Sequence, residues 1–263
     1  MNRCLWLLIV LMFASGAELT NAEKKVKSPI IIAHRGASVG APENTLASIK
    51  GAVEAGADWV EWDTRVTSDG HLILQHDETL ERFIGKKVMV EGLSLEEAQE
   101  YDVGSWFDKK FADEKMPTLR EAIAASLPNV MPLIERKNGS AEQHLEVLRE
   151  MGVVEKVAVQ AFDWKFLRDL RKLVPELKIG ALGNKKVSPE KLKEIVEMKA
   201  DFVGWSAKDL KRADIDFFHT NGIKVAVWTV DDPKEIRKFV SWGIDMIITN
   251  DPSRTRKIVK EKR

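Results

Sequence analysis

The sequence predicts an α/β protein built as a single (β/α)8 TIM-type barrel, with a small insertion after an extra β-hairpin arm. Three observations lead there. From Pro29 onward, short β-branched runs alternate with amphipathic stretches, the pattern of a parallel sheet with helical crossovers. Nine such runs read as strands, and one pair of them is joined too closely for a parallel connection. The length of 263 residues suits one barrel better than two small domains.

The expected strands cover residues 30–33, 59–66, 72–76, 130–137, 157–162, 178–182, 202–205, 224–230 and 246–249. The second and third are separated only by Thr67-Ser68-Asp69-Gly70-His71, whereas a parallel crossover needs roughly a dozen residues. They must therefore form an antiparallel hairpin, with Asp69-Gly70 as its turn. Setting that arm aside leaves eight strands, the number that closes a barrel. Between them, Asn44-Thr45, Ser188-Pro189-Glu190 and Asp232-Pro233 mark helix starts. Gly56, Gly152, Gly222 and Gly243 each follow a helical stretch and end it.

Between Asp77 and the helix near Pro117 the chain is far longer than a usual βα loop. We read residues 80–116 as an insertion over the barrel mouth. Ser94-Leu95-Glu96-Glu97 starts a helix in it, and Trp106, Phe107 and Phe111 call for burial or form an apolar lip. The barrel domain as a whole is expected over 29–263.

The amino terminus has the layout of a signal peptide, expected over residues 1–22 with cleavage after Ala17 or Ala22. Arg3 precedes an unbroken apolar run at 4–13, followed by Ala14-Ser15-Gly16-Ala17. The run falls short of the roughly 20 apolar residues of a span. Export to the periplasm or medium is the expectation, and an uncleaved anchor the alternative. Cys4 is the only cysteine, so the mature chain forms no intramolecular disulfide and has no thiol nucleophile. Lys plus Arg and Asp plus Glu balance at 41 each, which leaves no basic surplus for a nucleic-acid partner.

The chemistry is concentrated at strand ends. His34 and Arg35 follow the first strand, placing a proton carrier beside a fixed cation at the carboxyl end, where barrel enzymes keep their sites. A packed histidine and a surface ion pair would also account for them. Glu61 and Asp63, two apart on a strand, share a face, while Trp62 and Thr64 point toward the helices. Two carboxylates aimed into a barrel require a positive partner, either a divalent cation or a basic side chain. His76 returns toward the same mouth at the end of the hairpin arm. Glu135 and Lys137 share a face by the same period, so Glu135 can complete a cation's ligands and Lys137 can offset phosphoryl charge. Arg136 then faces away.

In this order, His34-Arg35-Gly36, Pro42-Glu43-Asn44-Thr45, Glu61-Trp62-Asp63, Thr67-Ser68-Asp69-Gly70, His76-Asp77, Pro117-Thr118-Leu119 and Glu135-Arg136-Lys137 resemble the glycerophosphodiester phosphodiesterases, over residues 30–252. The resemblance implies hydrolysis of glycerophosphodiesters to glycerol 3-phosphate and an alcohol, by way of a cyclic phosphate. It makes His34 and His76 the acid–base pair, and Glu61, Asp63 and Glu135 the ligands of one divalent cation, Ca2+ or Mg2+, with Mn2+ also suited. Arg35 and Lys137 contact phosphate, Asn44 supports the site or caps a helix, and Trp228 packs on the glycerol carbons or in the core. The sequence departs from the family's pattern at Phe83-Ile84, where paired threonines are usual, and at Ala161, where a serine would bring a hydroxyl near the mouth. Two competing functions share these features: a related lipase-type phosphodiesterase acting on lysophospholipid or sphingolipid, and a noncatalytic exported phosphoester-binding protein.

Overall fold

The computed structural model describes residues 28–261. The expected signal peptide at 1–22 lies outside these. From the amino-terminal side, β1 (Ile30–Ala33), α1 (Leu46–Glu54), β2 (Trp59–Val66) and β3 (Leu72–Leu74) precede the insertion, which carries α2 (Glu81–Ile84) and α3 (Leu95–Glu100). Regular alternation resumes with α4 (Leu119–Ser126), β4 (Met131–Arg136), α5 (Ala141–Glu150), β5 (Ala158–Ala161), α6 (Trp164–Leu173) and β6 (Lys178–Gly183). It finishes with α7 (Pro189–Glu197), β7 (Phe202–Ser206), α8 (Arg212–Thr220), β8 (Lys224–Trp228), α9 (Pro233–Ser241), β9 (Met246–Thr249) and α10 (Pro252–Lys260).

Parallel pairing runs from β1 through β9, β8, β7, β6, β5 and β4 to β2, and β2 pairs back to β1, so eight strands close a barrel as expected. The strand left over, β3, lies antiparallel on β2, with Thr64 opposite Leu74. The length of β2 makes this possible. It has 8 residues against 4 in β1, so only Trp59 and Val60 pair with β1 and the far half is free to hold the hairpin arm. Thr67 and Gly70 close the turn.

Side chains of alternate parity fill the interior and the helix layer. Inside sit Ile32, Leu133, Ala158, Phe202, Ala226, Met246 and Ile248, forming a floor below the strand ends. Phe202 takes the space over Gly180, where a Cβ would lie 2.1 Å from its ring. Burying that ring stabilises the barrel by about 2 kcal/mol. Ile31, Val60, Trp62, Ile134, Val159 and Ala161 face outward and pack with the helices. Polar residues start several helices: Thr45, Ser94, Thr118 and Ser140 each accept from the backbone three residues on, in reciprocal capping boxes. A cap of this kind is worth about 1 kcal/mol.

The insertion packs Leu80, Val90, Ala98, Val103 and Met116 with Ile73 of β3 in a small core separate from that of the barrel. Trp106, Phe107 and Phe111 form the apolar lip rather than a buried cluster. Trp106 stays 38% exposed, and Phe83, Trp106, Phe107 and Phe111 pack in series with centroids 5.3, 5.8 and 5.8 Å apart. The indole tolerates the rim because its N–H donates to the Val103 carbonyl at 2.7 Å. No helix among the described residues is long and apolar enough to cross a membrane.

Candidate active site

The β1 strand ends at Ala33, and the next residues turn sharply: Arg35 and Gly36 both have positive φ, 55° and 83°. Glycine is required at the second position, because a Cβ would lie 2.3 Å from Ser48 Oγ. This turn throws Arg35 over the neighbouring strand. Its backbone N–H donates to Glu61 Oε2 at 3.0 Å, its Nε lies 3.2 Å from Asp63 Oδ2, and its Nη1 donates to Glu43 Oε1 at 2.8 Å.

Glu61 and Asp63 on β2 and Glu135 on β4 meet as the period of two predicts, each offering an oxygen within 4.8 Å of the others. Asp63 pairs with Glu135 in the sheet register. All three are buried, a costly arrangement for like charges. Asp63 receives the compensation: burial works against its charge, yet Lys137 Nζ at 3.0 Å and Arg35 hold it ionised, with a pKa of about 2. Lys137 also pairs with Glu135, whose pKa burial and the Asp63 charge nevertheless push up to about 7. Glu61 is left short. Burial first, then Asp63 and Glu135, raise its pKa well above the ordinary value, and its Oε1 is buried with no hydrogen-bond partner. An orphaned carboxylate oxygen within an all-oxygen donor set fits a hard divalent cation. The three residues can hold one.

Of its two expected places, Asn44 takes the supporting one and does not cap the helix. Thr45 caps α1, and Asn44, at a φ of 58°, is buried with its amide spanning Asp63. Its Nδ2 donates to Asp63 Oδ2 at 3.0 Å and its Oδ1 accepts from the Asp63 N–H at 3.1 Å. Asn44 thus orients a carboxylate from behind rather than lining the cavity.

The two histidines come to one cavity of about 130 Å³, together with Arg35, Glu61, Glu135 and Lys137. His76 lies two residues beyond β3, which ends at Leu74 rather than continuing to His76 as expected. Its Nδ1 pairs with Asp77 Oδ1 at 2.7 Å. The Nδ1 of His34 meets Asn250 Oδ1, also at 2.7 Å. Both acceptors oblige Nδ1 to carry the proton and leave Nε2 as the free nitrogen of the neutral ring. Burial lowers both imidazole pKa values; Arg35 adds to this for both, and Asp63 opposes it. A larger groove of about 660 Å³ runs between Leu46, Phe111 and Pro252, but it contains none of the acidic triad and neither histidine, so size does not locate the site.

Trp228 also lines the cavity, edge-on to Phe162 with centroids 5.7 Å apart, and Phe162 is 48% exposed at the rim. The Trp228 Nε1 and Gln160 Oε1 atoms are buried without hydrogen-bond partners. Ala161 does not face the mouth: it is fully buried in the helix-side layer, so a hydroxyl there would not reach the cavity. Arg136 also faces away as expected, pairing with Asp163.

Sequence reasoning assigned no role to Asn250, Asp231, Arg82 or Glu43. Asn250 follows β9 as His34 follows β1, and the strand-end rule that found His34 points equally to it. Glu43 lay within a recognised motif. Arg82 stands where the resembled pattern has an arginine, just before the Phe83-Ile84 departure, and nothing local marks Asp231.

Residues 34–254 match the model of the Glycerophosphoryl diester phosphodiesterase family. A glycerophosphodiester phosphodiesterase of Caldanaerobacter subterraneus subsp. tengcongensis is 34% identical over 240 residues, covering 88% of this chain and 98% of that one. One from Bacillus subtilis is 27% identical over 253 residues, covering 88% and 86%. The solved structure of an Oleispira antarctica phosphodiesterase in complex with the product sn-glycerol-3-phosphate has a TM-score of 0.82 at 24% identity, covering 88% of this chain and 97% of that chain. That last likeness is one of fold.

Proposed function

Because the chain belongs to the glycerophosphoryl diester phosphodiesterase family, we propose that it hydrolyses glycerophosphodiesters to glycerol 3-phosphate and an alcohol. The observation that carries this reading is the convergence on one small cavity of two carboxylates of the acidic triad, Glu61 and Glu135, with Asp63 beside them, two cations, and two histidines whose Nε2 atoms have no partner among the described residues.

Glu61, Asp63 and Glu135 would hold one divalent cation, Ca2+ or Mg2+ with Mn2+ also suited, which when bound polarises phosphoryl oxygen and favours an ionised nucleophile. Arg35 and Lys137 line the same space and offset the negative charge that develops on the phosphoryl oxygens. His34, held by a neutral amide, serves as base through Nε2 and takes the proton of the attacking hydroxyl. His76, held by the Asp77 carboxylate, serves as acid and protonates the departing alkoxide, since a neighbouring negative charge favours its cationic form. If the attacking hydroxyl belongs to the glycerol half, the product of this step is a cyclic phosphate that water then opens with the roles reversed. Trp228 and Phe162 offer apolar surface to the glycerol carbons. The layout of residues 1–22 supports export, with a mature terminus after Ala17 or Ala22.

A metal-by-substrate matrix tests the activity, using Ca2+, Mg2+ and Mn2+ against glycerophosphocholine, glycerophosphoethanolamine, glycerophosphoglycerol and a lysolipid. Metal-dependent turnover of the soluble diesters is expected. Turnover of micellar lysolipid alone would replace the substrate class, and calorimetric binding without turnover would replace the enzyme by a binding protein. Sequencing the amino terminus of the exported protein tests the cleavage.

A further inference from the structure

Arg82, on α2 of the insertion, does not line the cavity, yet it joins two of the groups that do. Its Nη2 and Nη1 donate to Glu43 Oε1 and Oε2 at 2.7 and 3.0 Å, and its Nε donates to Asp77 Oδ2 at 2.8 Å. Glu43 Oε1 also accepts from Arg35 Nη1 at 2.8 Å, and Asp77 Oδ1 pairs with His76 Nδ1 at 2.7 Å. One guanidinium therefore holds the partner of Arg35 with one edge and the partner of His76 with another. Its plane is fixed from the other side by the insertion's aromatic series, with Cζ 4.5 Å from the Phe83 centroid and 5.4 Å from that of Trp106.

The barrel alone does not define these positions. Glu43 lies in the loop between β1 and α1, and Asp77 lies beyond the end of β3, so no sheet ladder constrains either carboxylate. The His76 side chain is 33% exposed and Glu43 only 13%, so the Glu43 side of the network is the more covered. Among the described ion pairs, Arg82 is the only cation shared by Glu43 and Asp77.

We propose that Arg82 is a positioning residue through which the docked insertion sets the orientation of His76 and Arg35, so that the site is complete only when the insertion is seated. The proposal rests on the reading of those two residues as proton carrier and phosphate contact. Lysine cannot replace the fork, because a single ammonium on a flexible stem does not reach both carboxylates with fixed geometry.

The test uses the full chain with Arg82→Gln and Arg82→Lys, measuring glycerophosphocholine turnover with metal. In parallel, the His76 Nδ1–H resonance is followed in metal-free, histidine-labelled protein. Both variants are expected to melt near wild type while kcat falls about tenfold or more, a loss typical of groups that orient catalytic ligands. The His76 resonance broadens through exchange with water in both, and the His34 resonance, held by Asn250, persists as the internal control. A kcat within about twofold of wild type, by the measure that outer partners normally cost tenfold, overturns the proposal, as does an unchanged His76 resonance. If Arg82→Gln fails to fold, Arg82→Lys gives the same two readings. A His76→Ala protein that stays active would instead count against the site reading, and the resonance would still decide the positioning role of Arg82.

Discussion

His34 donates its Nδ1 proton to Oδ1 of Asn250 across 2.7 Å, although the two residues lie 216 positions apart in sequence. The direction of that bond follows from a third residue. Asp231 Oδ2 lies 2.6 Å from Asn250 Nδ2, and a carboxylate can only accept, so the amide nitrogen must face Asp231 and the amide oxygen must face His34. Ser38 Oγ donates to the same oxygen at 3.0 Å, and the Asn250 N–H donates to Asp231 Oδ1 at 2.8 Å. The ring therefore has one permitted neutral tautomer, with its Nε2 lone pair free.

Replacing Asn250 by alanine releases that tautomer. Activity should fall by about 10- to 100-fold, the usual cost of losing a partner that orients a functional imidazole. Steady-state kinetics with glycerophosphocholine check this, alongside a melting curve that shows the fold retained.

Glu61→Gln should separate activity from stability. The substitution removes a buried acid that is only partly compensated, one of its oxygens having no partner, so the metal-free protein should melt at a higher temperature than wild type. The same change should abolish turnover to below about 1% and remove the melting-temperature rise that Ca2+ or Mg2+ produces by binding the native state. Thermal melts with and without chelator read both effects.

Lys137→Met strips Asp63 and Glu135 of their shared cation. Leaving two buried carboxylates without it should cost about 3 kcal/mol in the metal-free protein, and added divalent metal should recover part of this. Turnover should drop by about 100-fold, as for other lost charge-stabilising donors. Urea melts and initial rates measure the two losses.

His144 gives the protein a stability slope in mildly acid solution. Its ring is fully buried against Phe166, Nδ1 donates to the Ser140 carbonyl at 2.9 Å, and the Thr64 hydroxyl lies 3.0 Å from Nε2. Burial, with the Arg136 charge adding to it, lowers its pKa from 6.5 to about 4. The unfolded chain thus binds this proton more readily, and stability is lost as pH falls from 6.5 toward about 4, by about 3 kcal/mol in all. Subtracting the urea-derived stability of His144→Gln from that of wild type across this range isolates the slope; a flat difference would contradict it.

Much of the site was legible in the chain because it depends on local rules. The period of two put Glu61 with Asp63 and Glu135 with Lys137, and the structure brings these four side chains together. Strand termini placed His34 and His76 at the mouth. Asn44 was less legible: its neighbour Thr45 is an equally good cap, and only the approach of Asp63 shows which of the two polar residues caps the helix. Ala161 was misplaced toward the mouth because the parity of β5 is fixed by its neighbours, which turn Gln160 inward and Ala161 toward the helices.

By itself the sequence determined the eight-stranded barrel, the hairpin arm, and the acidic and basic groups at the strand ends, since alternation, turn chemistry and crossover length are properties of neighbouring residues. Tertiary structure alone decided who orients whom. Closing the barrel lays β9 beside β1 and so hands His34 to Asn250 and Asp231, while folding the insertion back brings Arg82 between Glu43 and Asp77. These partners are distant along the chain, and a hydrogen bond's direction is set by the geometry of both ends, which no local pattern encodes.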